Sequence, residues 1–168
     1  MDDEKGILAA LNSKLTDENK VKSPDDLHVG DIVYVELDKN DGLVLNGKYV
    51  TRLKYVVVAG AKSNAKEICV ALINTSNDYS NDPDWKSEQY LLHQSDYPEI
   101  LDYDSWLDCT DVKELLFRKI KSKDAIIKGR LNSNDLARVM ITISESEFVS
   151  PHIKKVYGIN RFVENNAL

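Results

Sequence analysis

Two cysteines in 168 residues, Cys69 and Cys109, sit inside apolar stretches with no close Cys or His partner. That usage excludes a disulfide framework, a zinc cluster and a redox CxxC pair, and reads as two buried, reduced thiols. No uninterrupted apolar run approaches the roughly 20 residues that cross a bilayer. The first residues, Met1-Asp2-Asp3-Glu4-Lys5, carry no cationic start of a secretory signal, so the expected location is the cytosol with no membrane partner. Glycine and proline number only seven and four, against 42% hydrophobic and 30% charged residues, which disfavours disorder and collagen-like repeats. Excess positive charge is missing too. The formal net charge of −6 argues against a strongly basic nucleic-acid binder.

That net charge is unevenly laid out. Asn77 to Asp111 carries ten acids against Lys86, whereas Val112 to Arg130 carries seven cations against Glu114 and Asp124. Two solvated blocks are one reading. The other is that the acidic stretch covers the basic one or meets a basic partner, since it would repel phosphate.

A chain of this length holds one core. Ile7, Leu8, Leu11 and Leu15 fall at helical spacing, which predicts a short amphipathic helix over 7–15, followed by a polar link from Thr16 to Asp26. Gly30-Asp31 then opens a β-branched run, predicting a strand over 31–37, and Asn40-Asp41-Gly42 with Asn46-Gly47 makes 38–48 a reversing loop. The apolar runs Tyr55–Val58 and Ile68–Ile73 read as adjacent core strands. Asn74 to Asp104 is a long aromatic connection with a brief strand at Leu91-Leu92. Trp106–Cys109, Val112–Ile120 and Ala125–Leu131 read as further strands, with a turn at Lys121–Asp124. Asn132 and Ser133 cap a helix whose apolar face is Leu136, Val139, Met140 and Ile143. Ser150-Pro151 opens a second helix that Gly158 stops, with frayed residues beyond Ile159. The expected class is α+β, a small β-barrel flanked by helices, divided as 1–26 (helix and link), 27–146 (barrel and helix) and 147–168 (terminal helix and tail).

Four stretches in order, Val29–Val35, Lys54–Val58, Val70–Thr75 and Gly129-Arg130-Leu131 before a helix, resemble the MazF/PemK family of toxin ribonucleases from about Val29 to Ile143. The resemblance implies an SH3-like barrel, a homodimer, metal- and cofactor-free cleavage of single-stranded RNA, and silencing by an antitoxin-like protein. It also implies a cation at the entry to the second main strand, where the family carries an arginine just before a proline. Here Arg52-Leu53-Lys54 occupies that region without a proline: chemistry favours Arg52, alignment favours Lys54, and both share one face of a strand. The family's second residue, a Thr or Ser after the next strand, falls on Asn74, Thr75 or Ser76, with Asn74 closest. Metal-free cleavage also needs a base for the 2′-hydroxyl and an acid for the leaving oxygen. His93 in the long connection is the candidate, with Asp96 three residues on to orient it; a merely solvated histidine is the alternative. An amide cannot act as a base, so Asn74 leaves two rivals open: a non-catalytic descendant that binds protein through 7–15 and the acidic loop, and an RNA-binding regulator that does not cut.

Overall fold

The structure, a computed structural model, describes residues 19–166 and 168. The helix predicted over 7–15 therefore lies outside the described residues. Six strands form one antiparallel sheet: β1 (Asp31–Asp38), β2 (Thr51–Ala61), β3 (Glu67–Asn74), β4 (Gln89–Leu92), β5 (Ser105–Leu116) and β6 (Ile126–Arg130), in the order β4-β5-β3-β2-β1-β6. Among the described residues five α-helices accompany it: α1 (Pro83–Ser87), α2 (Phe117–Ser122), α3 (Ser133–Glu145), α4 (Pro151–Val156) and α5 (Ile159–Asn165).

The central strands are apolar on both faces because each face has its own core. On β2 and β3, Val57, Ala59, Cys69, Ala71 and Ile73 point to one core with Val139, Met140, Ile143 and Ile159 of α3 and α5. The alternate residues, Val56, Val58, Ile68, Val70 and Leu72, point to a second core with Val33, Val35 and Leu37 of β1, Leu115, and Phe117 and Ile120 of α2. Period-two side-chain alternation thus turns a continuous apolar run into two layers. This arrangement replaces the expected closed barrel. The sheet stays open, with β4 and β6 as its outer strands, because helices and an incoming chain segment cover what closure would otherwise have to bury.

Three local expectations are corrected. Val112–Ile120 is not one strand: β5 runs on to Leu116 and then turns helical, since Phe117 and Ile120, both buried and three apart, can face one core only on a helix. The stretch Ile159–Asn165 is helical rather than frayed; Gly158, left-handed at φ 72°, ends α4 and starts α5, whose Ile159 is fully buried while Phe162 and Val163 pack on the core. The stretch 19–26 is no free link, because Val21 is buried, its N–H donates to Ala125 O at 3.0 Å, and Asn19 O accepts from Ile127 N at 2.9 Å. Residues 19–21 thereby satisfy part of the open edge of β6.

The end of α4 is pressed onto the sheet at Gly60. A Cβ there would lie 2.3 Å from Tyr157 O, the carbonyl to which Ala61 N donates at 3.2 Å, so only glycine permits this approach.

Candidate functional site

β1 and β2 pair Val35 with Lys54 and Leu37 with Arg52, while β2 and β3 pair Val56 with Leu72. One step further along β2 and β3, Lys54 stands beside Asn74, and its ammonium donates to Asn74 Oδ1 at 2.9 Å. Parity puts Lys54 and Arg52 on the face of Val56 and Val58, at the mouth of the second core. Lys54 is half-buried and Arg52 exposed. Desolvation, followed by the neighbouring Arg52 charge, holds the Lys54 ammonium below the usual lysine range. Neither cation forms an ion pair with a carboxylate among the described residues. A neutral amide therefore orients Lys54 while leaving its charge uncompensated.

The other sequence candidates divide. Thr75 is exposed beyond the strand, and Ser76 Oγ donates to Asp78 Oδ2 at 3.2 Å. His93 is exposed at the end of β4, three strand spacings from β2, or about 14 Å across the sheet. Its carboxylate neighbour is Asp104, 3.6 Å from Nδ1, rather than Asp96, whose backbone N–H closes a turn onto His93 O. Arg52, Lys54 and Asn74 are thus brought together and His93 is set apart. Trp106, which the sequence did not single out, pairs with Asn74 across β3 and β5 and lies half-buried on the same face. Only the strand register could reveal it, since 32 residues separate the two positions in the chain.

The basic block 112–130 is not screened by the acidic connection as one reading expected. Lys119 donates to Asp41 Oδ1 and Oδ2 at 2.6 Å each and to Asp38 Oδ2 at 3.1 Å, and Arg130 Nε donates to Asp31 Oδ1 at 3.0 Å. Those acids come from β1 and the turn after it; among the described residues Lys113 alone of the block takes an ion-pair partner from the acidic stretch, its last residue Asp111 at 2.5 Å. The aromatics of the connection pin it down instead. Tyr90 donates to Asp135 Oδ1 at 2.7 Å, Tyr97 donates to Asp135 Oδ2, and Asn132 Nδ2 donates to the same oxygen at 3.0 Å. Burial and the Asp135 charge push the Tyr90 phenol up to about 12 and Tyr97 higher still. Saturated by these partners at the start of α3, Asp135 fastens the connection and has little capacity for chemistry.

Both thiols are buried and free, with burial pushing Cys69 up to about 12 and Cys109 further. Neither is a nucleophile at neutral pH. Among the described residues no three His, Cys, Asp or Glu side chains converge to hold a metal, and no helix is long and apolar enough to cross a membrane. The chemistry open to the Arg52–Lys54–Asn74 group is recognition and stabilisation of an anion. Compared with known proteins, the sequence matches no family profile and no characterised protein.

Proposed function

We propose that the chain is a MazF/PemK-like, toxin-type domain, descended from a small SH3-like barrel, that acts on single-stranded RNA by seating a backbone phosphate against Arg52 and Lys54. The observation that carries the reading is a half-buried lysine held at 2.9 Å by an amide instead of a carboxylate, beside a second cation that forms no ion pair among the described residues, in a protein of net charge −6. Acids outnumber bases in this chain, so two neighbouring cations that take no acid partner among the described residues are suited to an anion from outside. An RNA phosphate supplies one. In the pentavalent transition state of 2′-hydroxyl attack, charge grows on the non-bridging oxygens, and preset cations stabilise it without reorganising. The lowered proton affinity of Lys54 also suits it to protonate the leaving 5′-oxygen, while the 2′-hydroxyl proton passes to a solvent water. A homodimer and an antitoxin-like partner belong to the same proposal.

The second reading, a descendant that binds RNA or protein without cutting, is favoured by one feature of the same site. Lys54 is hydrogen-bonded to an amide that cannot take the 2′-hydroxyl proton, and His93 sits just past the end of β4, away from it. Incubating a long single-stranded RNA with the protein in EDTA separates the two. Discrete cuts lost in Lys54→Ala and reduced at least about 100-fold in Arg52→Ala establish the ribonuclease. Intact RNA that is nonetheless retained by the protein establishes the non-cutting form, and no interaction at all refutes both RNA readings.

A further inference from the structure

Of the nine large apolar side chains exposed among the described residues, four crowd into the ten residues from Val44 to Leu53. Val44, Tyr49 and Val50 are 86%, 77% and 78% exposed. Solvent-facing turns are ordinarily polar, and the polar residues needed to reverse the chain, Asn46 and Gly47, are present without requiring any of these. The turn also shapes two clefts of about 360 and 350 Å³ that share Leu45 and Tyr49 as their common wall. Each is at the lower end of the size range of small-ligand sites.

Each cleft carries the same pair of groups. Arg52 and the amide of Asn46 line the first; Lys39 and the amide of Asn40 line the second. Neither Arg52 nor Lys39 has a carboxylate partner among the described residues. Asp38 also lines the second cleft, but its carboxylate is bound by Lys119 at 3.1 Å and by the Asn40 N–H at 2.7 Å, so its charge is compensated before any ligand arrives. An aromatic wall with a cleft, an amide and an unpaired cation on either side matches the repeating chemistry of a nucleic-acid strand: a flat base, its hydrogen-bonding edge and its phosphate.

We propose that this turn binds two consecutive nucleotides of single-stranded RNA, with their bases on opposite sides of the Tyr49 ring, Asn46 and Asn40 meeting the base edges, and Arg52 and Lys39 meeting the two phosphates. The inference rests on the RNA-directed reading above and gives it a footprint, a two-base step next to the Lys54–Asn74 site. Arg52 joins the two, lining the first cleft while sharing its strand face with Lys54.

The test is binding of fluorescently labelled RNA hexanucleotides of mixed sequence to the full chain, measured by anisotropy, with Tyr49→Ala, Tyr49→Phe, Lys39→Ala and Lys54→Ala. Tyr49 is exposed, so its truncation leaves both cores intact. Tyr49→Ala is expected to weaken binding at least about 5-fold and Tyr49→Phe to retain it, because stacking needs the ring and not the hydroxyl. Hexamers with two adjacent abasic positions should bind the native protein as weakly as intact hexamers bind Tyr49→Ala, with no further loss when the two are combined. If Lys54→Ala weakens binding while Tyr49→Ala and the abasic hexamers do not, the two-nucleotide site is wrong and the phosphate site stands. If the native protein binds no hexamer, both fall.

Discussion

At the scale of single residues, what distinguishes the site is which partner Lys54 has been given. A carboxylate at position 74 would hold the ammonium as firmly and cancel its charge; the amide holds it at 2.9 Å and cancels nothing. Asn74→Asp is therefore expected to raise the proton affinity of Lys54, to leave the urea midpoint unchanged or higher, and to weaken RNA binding on the order of ten-fold. An affinity loss that merely tracked lost stability would point to a structural role. The sequence offered Asn74 as the nearest match to the position of a hydroxyl residue, but its bond to Lys54 spans 20 residues of chain and follows from strand register.

At the scale of elements, the short helix α2 is clamped to the turn after β1 by Lys119, which meets Asp41 and Asp38 together. The Lys119 bond, then the Asn40 N–H, holds the Asp38 carboxyl below the usual aspartate range. For Lys119, desolvation works against the charged form, but the Asp41 and Asp38 bonds outweigh it and raise its proton affinity. A depressed carboxylate contributes stability above its unfolded pKa of about 3.9 and loses it as pH falls through the folded value. A raised lysine contributes below its unfolded pKa of about 10.4 and loses it as pH rises through the folded value. Lys119→Met is accordingly expected to destabilise by about 1 kcal/mol at pH 7. In urea titrations that difference should stay level from pH 5 to 9 and shrink below pH 4; a difference that persists at pH 3 would mean that Lys119 acts through packing. The same turn lines the second of the proposed nucleotide clefts through Lys39 and Asn40, so loosening α2 should also weaken RNA binding.

At the scale of the whole molecule, net charge −6 and RNA binding are compatible only if the interaction is local. Each phosphate neutralised on single-stranded RNA contributes about −0.7 to the slope of log K against log salt. Replacing both Arg52 and Lys54 by alanine should reduce that slope by about 0.7, for the one phosphate they seat, when affinity is measured between 50 and 300 mM salt. Parallel salt plots for native and double-mutant protein would show that these cations do not meet phosphates. What the sequence by itself determined was whatever local periodicity and capping encode: five of the strands in place, the Asn132 cap of α3, the proline start of α4, and two thiols buried without partners. It misassigned 117–120 and the last helix because apolar residues such as Phe117, Ile120 and Ile159 show that they are buried without showing in which period or against which core. The openness of the sheet, the docking of Val21, the meeting of Lys54 with Asn74, the pairing of Asn74 with Trp106, and the separation of His93 from them were decided only by tertiary structure. Strand order and register join positions tens of residues apart, and no local pattern carries that information.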